Sequence, residues 1–254
     1  MTAIGEVFAR HLGLIGDLTD DDRETLLRLD GEIRWLESNE DILRSGDHPT
    51  HVVVVLGGLL HRYTNTPHGV RQIHSFFLPT DTPSVETLHI GVMDNNLGAL
   101  TRSQIGLVPH SEMFAAMAAR PNLTTLLWRE TLVQGAIIRA WLIRNSQMLA
   151  HARLAHLFCE LVTRARAAGL VDDNHCELAI THEDLGDALG MTAIQVKRTL
   201  MILRAGAIVD FRDGRLSVLD WEQLLEVGEF DPYYLHFQNG SGAPRAVDAI
   251  VHPR

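Results

Sequence analysis

Lysine is almost absent from this chain and occurs once, as Lys197. Cysteine is nearly as scarce, limited to Cys159 and Cys176. Two thiols cannot build a disulfide framework or a four-cysteine metal site. Cys159 lies on an apolar helical pattern and is expected in the core. No apolar run approaches the roughly 18 residues of a membrane span, and no signal peptide is evident. A cytoplasmic protein with no membrane partner is therefore expected. A nucleophile motif is missing, as are Walker and dinucleotide glycine loops and any hydrolytic or redox constellation, so an enzyme is not expected. Positive charge is outweighed, 22 Lys and Arg against 32 Asp and Glu, for a net charge of −10. Such a mean field repels phosphate and excludes a protein that coats nucleic acid without specificity. A nucleic-acid role must rest on local charge.

Local charge of that kind is present. Residues 190–216 carry Lys197, Arg198, Arg204, Arg212 and Arg215 against Asp210 and Asp213. The stretch before and through it, ITHEDLGDALGMTAIQVKRTLMIL, predicts two short helices joined by a tight turn. Thr181 with Asp184 three residues on is a capping-box start, and Gly190 can supply the left-handed residue that ends the first helix. Thr192 with Gln195 repeats the cap signal. Val196, Leu200 and Leu203 then form a buried face, leaving Ala193, Ile194, Gln195, Lys197 and Arg198 outside. That is the helix-turn-helix arrangement, with the second helix shaped for a major groove. Thr181 and His182 at the start of the first helix, and Thr192 at the start of the second, join the DNA-facing set. After the helices come two β-prone runs, Ala207–Phe211 and Leu216–Leu219, around Asp213-Gly214. A hairpin in that place is a wing, with Arg212 and Arg215 at its tip, where a phosphate backbone would lie.

The remainder suggests two small domains, each with its own core, in a chain of 254 residues with 46% hydrophobic content. Residues 5–30 predict two short helices, the second capped by Thr19 with Asp22. Short β-prone runs follow at Ile33–Leu36, His51–Leu56, Leu59–Tyr63, Val70–Phe77, Leu97–Thr101 and Gln104–Val108. Strands at this spacing suggest a β-barrel or double-sheet jelly roll. Pro121 opens a long helix, 121–148, that is apolar in every direction and must be covered on every side. Barrel on one side and the same helix of a second copy on the other would do so; Leu127, Ile138 and Trp141 are the expected dimer contacts. Asn145-Ser146-Gln147 reads as a hinge, and 149–168 as a further helix with Leu154, Leu157, Phe158 and Leu161 inward. Asp172–Asn174 reads as a loop.

The segments RLAHLFCEL, THEDLGDALGMT, VKRTL and EFDPYYLHF resemble the Crp/Fnr family of bacterial transcription regulators, from about Phe8 to Phe237 and most specifically over 153–237. The resemblance implies an α+β fold: a cyclic-nucleotide-binding-like jelly-roll barrel (1–120), a dimerisation helix (121–148), a winged helix-turn-helix (149–238) and a loose tail (239–254). It also implies a sequence-specific regulator acting as a homodimer. In ligand-binding members a Gly-Glu pair and an Arg-Ser pair grip the cyclic phosphate. Here those pairs fall near Val85-Glu86 and Asn95-Asn96, beside Asp81, and no Lys or Arg occurs from Gln72 to Thr101. Arg102-Ser103 would serve only in a shifted register. The pocket therefore reads as degenerate and no cofactor is expected; cyclic nucleotide, or haem with an axial histidine, stays open but unsupported, and the barrel senses an unknown effector or none. His48 and His51 have no matching second pair, so no metal is expected. An iron–sulfur cluster would need clustered thiolates. Expected partners are palindromic double-stranded DNA, a second copy and, left open, RNA polymerase. The competing expectation is a sensor or adaptor module that no longer uses DNA.

Overall fold

The computed structural model describes residues 3–172 and 174–238; the tail expected at 239–254 lies outside them. Helix α1 (Ala3–Ile15) buries Ile4, Phe8, Leu12 and Ile15 along one face. Helix α2 (Asp20–Leu27) begins at Thr19, whose hydroxyl accepts from Asp22 N while the Asp22 carboxylate accepts from Thr19 N. The strands are β1 (Glu32–Leu36), β2 (Asp41–Leu43), β3 (His51–Gly57), β4 (Leu60–Asn65), β5 (Arg71–Phe77), β6 (Asn96–Ala99) and β7 (Ser103–Pro109). They form two antiparallel sheets, in the orders β1-β7-β3 and β2-β6-β4-β5. Strand β3 is buried on both faces: Val53 and Val55 meet Leu60, Phe77, Leu97 and Ile105, while Val52 and Val54 pack with α1. This is the expected jelly-roll architecture. Strand β2 has only three residues, too few for an alternating pattern in the sequence.

Helix α3 (His110–Ala119) leads to α4 (Pro121–Gln147), which at 27 residues is about 40 Å long. Leu123, Leu126 and Leu127 of α4 pack with α1, whereas Val133, Ile137 and Trp141 join the cluster around α5 (Ala150–Ala167). Two of the expected dimer contacts, Leu127 and Trp141, are thus buried within their own chain, and Ile138 is partly exposed at 39%. The exposed side instead carries Trp128 (67%), Leu132 (59%) and Leu142 (69%). With Gly135 these follow steps of four, three and seven residues, the recurrence of a two-helix seam. The break in the helix falls at Met148-Leu149, where the backbone is extended, just beyond the expected hinge at Asn145–Gln147.

Past α5 come β8 (Val171–Asp172) and β9 (His175–Glu177), then α6 (His182–Leu189), α7 (Ala193–Ala205), β10 (Val209–Arg212), β11 (Arg215–Val218) and α8 (Trp221–Gly228). Asp172 and Asn174, expected in a loop, belong to the β8–β9 hairpin, which extends the wing to a four-stranded sheet, β10-β11-β9-β8. The two expected cores also merge. Ile73, Phe76 and Leu78 of the barrel lie in one apolar cluster with Leu154, Phe158, Leu185 and Val196. The outer face of β5 is too apolar to be left in water, and the helix-turn-helix domain covers it.

Candidate nucleic-acid interface

Both caps form as their spacing predicts. Thr181 Oγ1 accepts from Asp184 N (3.1 Å), and Thr192 Oγ1 from Gln195 N (3.2 Å). Gly190 closes α6 at φ +63°, where a side chain would be strained. Gly186 permits the tight turn, since a Cβ there would stand 2.4 Å from Met191 O. Val196, Thr199, Leu200 and Leu203 face inward and pin α7 to the domain. Ile194, Gln195, Lys197 and Arg198 are therefore exposed, with Ala193 half-buried at the start of the helix.

Pairing separates these residues by role. Gln195 Oε1 accepts from Thr192 N (2.8 Å), so the acceptor half of a bidentate adenine contact is already committed. Thr181 is committed in the same way, whereas His182 is exposed at the first turn of α6. Among the described residues neither Lys197 nor Arg198 has an ion-pair or hydrogen-bond partner. The wing cations do have partners. Arg212 Nε lies 3.0 Å and Arg204 Nη2 2.6 Å from Asp210 Oδ1, and Arg215 Nε lies 3.4 Å from Glu177 Oε1. Burial acts to raise the Asp210 pKa, yet the bonds from Arg212 and Arg204 hold it below its ordinary value. Asp213 (φ +51°) and Gly214 (φ +76°) form the left-handed pair that a tight hairpin turn requires. A groove of about 770 Å³ runs between α7 and the wing, lined by His182, Lys197, Arg204, Arg212 and Gly214. It is open, cationic on both walls and floored by Leu200 and Phe211.

The residues considered for an effector pocket do not converge. Asp81 is buried against Arg164 (2.7 Å) and accepts from Leu78 N. Asn96 Oδ1 accepts from Ser45 N (3.0 Å), and Asn95 bonds its neighbour Asp94. Arg102 stacks over Trp35 on the outside, and Ser103 Oγ accepts from Leu59 N (3.1 Å). Glu86 pairs instead with Arg62 of β4, which also donates to Pro83 O. Burial raises the Glu86 pKa even with Arg62 beside it. Sequence reasoning misses Arg62 because it precedes the stretch in which a phosphate-binding cation is expected. Its signal is the alternation of β4, which puts Arg62 on the same face as Leu60. Three of the histidines considered serve local bonds: His48 to Gly91 O (2.9 Å), His51 to Thr50 Oγ1 (2.8 Å) and His110 to Thr87 Oγ1 (3.0 Å). Among the described residues no group of three His, Cys, Asp or Glu side chains could hold a metal.

Residues 152–227 match the family model of the Crp-like helix-turn-helix domain. The chain is 23% identical to Electron transport regulator A of Shewanella oneidensis over 74% of its own length and 75% of that protein's. It is also 23% identical to the transcriptional activator protein Anr of Pseudomonas aeruginosa, covering 80% of this chain and 83% of that one. The solved structure of FixK2 from Bradyrhizobium japonicum superposes with a TM-score of 0.71 at 21% identity, over 78% of this chain and 98% of that one. The helix-turn-helix geometry, the wing and the jelly roll on a long helix agree with these likenesses: residues 152–227 are a Crp-like helix-turn-helix domain, and the chain as a whole is similar to regulators of the Crp/Fnr family.

Proposed function

We propose that the chain is a cytoplasmic transcription regulator that binds a palindromic DNA site as a homodimer through α7. One observation carries this: in a chain of net charge −10, the outer face of α7 presents Lys197 and Arg198 with no partner among the described residues. An adaptor that had abandoned DNA has no use for two exposed cations without partners among the described residues, one of which, Lys197, lines a groove with His182, Arg204 and Arg212. Arg198 has the two-pronged guanidinium that suits guanine O6 and N7, and Ile194, exposed and apolar, fits against a thymine methyl. Lys197, Arg212 and Arg215 then hold phosphates, the wing arginines by exchanging their carboxylate partners for the backbone. The barrel is read as taking no cyclic nucleotide, because Arg62, which reaches Glu86 at the expected phosphate site, is already paired with it.

Dimerisation is assigned to the exposed seam of α4. A two-fold axis beside Gly135 would bring Trp128, Leu132 and Leu142 against their own copies and remove the exposed apolar stripe from water. Sedimentation of the wild-type chain should then give about twice 28.3 kDa at micromolar concentration. Leu132→Glu places two like charges across the axis, a juxtaposition costing several kcal/mol, and should yield a folded monomer with little affinity for a two-half-site duplex. A Leu132→Glu protein that stays dimeric would move the interface elsewhere.

A further inference from the structure

Helix α6 is held largely from outside its own domain. Arg71, at the start of β5, sends Nε to Asp187 Oδ2 (2.7 Å) and Nη2 to Asp184 Oδ1 (2.5 Å). Gln72 Nε2 donates to Asp187 O (2.7 Å), Asn145 Nδ2 from the end of α4 to Ala188 O (2.9 Å), and Arg153 Nη1 from α5 to Leu189 O (3.1 Å). The last carbonyls of a helix lack internal partners and attract cations. Here barrel, α4 and α5 each satisfy one of them. None of these bonds touches the exposed face of α7, so the clamp fixes the helix-turn-helix without covering its DNA-facing residues.

We infer that Arg71 is a positioning residue for two-half-site DNA recognition: its fork on Asp184 and Asp187 sets α6, and with it α7, at one angle and distance from the dimer helix α4. The inference rests on the homodimeric reading above. Two recognition helices must meet major grooves about 34 Å apart. If each domain swung freely on Met148-Leu149, ordering both would cost entropy at every binding event, and the second half-site would be met at a lower effective concentration. The clamp therefore acts on the pair of half-sites, not on either one alone.

A second feature of the same joint is His61 of β4. It is buried, neither ring nitrogen has a side-chain partner, the Gly98 backbone lies against the ring, and it stacks on Tyr63 with ring centres 4.8 Å apart. Its cross-strand neighbour Phe76 belongs to the cluster shared with α5, α6 and α7. The charged groups around it are Asp41 of β2, bonded to Tyr63 Oη, together with Arg71 of β5 and Asp184 of α6. Burial and then Arg71 push its pKa down to about 4. Undocking that lets water reach the ring would move its pKa back toward the ordinary value of about 6.5. The open form then binds the extra proton between these values, so acid favours release. The docked form is therefore disfavoured as the pH falls from 7.5 to 5.

The test uses the full chain and three duplexes: a palindrome selected from random DNA, the same palindrome with five base pairs inserted between half-sites, and a single half-site. Wild type should prefer the first strongly over the second. Arg71→Glu should lose about 10-fold or more on the palindrome, keep its half-site affinity, and discriminate less against the insertion. Adding Asp187→Arg should restore both affinity and spacing preference. Lowering the pH to 5 should weaken the spacing preference of wild type but not of His61→Phe. Arg71→Glu with unchanged palindrome affinity and spacing preference would overturn the inference, as would an equal loss on the half-site. A spacing preference of wild type unchanged at pH 5 would remove His61 from the device. Wild type indifferent to spacing would instead defeat the homodimeric reading itself.

Discussion

Arg164→Ala should lower the stability of the chain by about 3–5 kcal/mol, because it strips the cation from a buried charge network. Arg164 is buried where α5 meets the barrel, with Nη2 bonded to Asp81 Oδ2 (2.7 Å) and Phe76 O (2.9 Å) and Nη1 to Glu160 Oε1 (3.2 Å). The other oxygen of Glu160 accepts from Trp141 Nε1 (2.9 Å) and Tyr234 Oη (2.8 Å). His11 Nε2 stands 2.8 Å from Glu130 Oε2 nearby. Burial opposes the charged form of His11, but Glu130 and then Asp81 outweigh it and raise its pKa. Removing Arg164 leaves the Asp81 and Glu160 carboxylates in an apolar joint without their cation. In a chain of this size the loss corresponds to a fall in melting temperature of roughly 6–20 °C. Adding Asp81→Asn and Glu160→Gln should return part of it. A loss below about 1 kcal/mol in urea titrations would mean that the joint admits water and is not a low-dielectric site.

Arg198→Ala should cost about 1–3 kcal/mol per half-site and relax preference at one base pair. Arg215→Ala should behave differently: it should weaken all sequences alike and make the salt dependence shallower by about one unit for each phosphate released. The contrast follows from the chain itself. Arg198 is exposed on α7 with no side-chain partner among the described residues, while Arg215 sits on the wing beside Glu177, which competes for it in the free protein. Titrations on a selected palindrome and on scrambled DNA separate the two. If Arg198→Ala weakened both duplexes equally, Arg198 would be a phosphate anchor and the base would be read by another residue.

The DNA-binding half of the molecule is legible in sequence because its signals are local. Thr181/Asp184 and Thr192/Gln195 are cap pairs three residues apart, Gly190 marks a left-handed turn, and Asp213-Gly214 marks a hairpin. All four features form where their spacing places them. The barrel strands are legible from β-prone runs between turns, except β2, which like β8 and β9 of the wing sheet is too short to show a period. The phase of α4 is not legible. A helix apolar in all directions does not say which side its own chain covers, so Leu127 and Trp141 read as outward although α1 and α5 claim them. Charge pairs across the fold leave no local signature either: Arg62 meets Glu86, and Arg71 meets Asp184, only after the sheets and α6 have packed. The two domains read as separate because nothing in the sequence shows that the outer face of β5 will be covered by α6.

The decisive measurement is selection of bound duplexes from random DNA at physiological salt, followed by titration of the recovered sequence against a scrambled control. Sequence-specific binding by a homodimer predicts enrichment of a palindrome with half-sites about one helical turn apart, bound by two chains and preferred over scrambled DNA by about 10³-fold or more. Recovery of no common sequence, or equal binding of both duplexes, would contradict it.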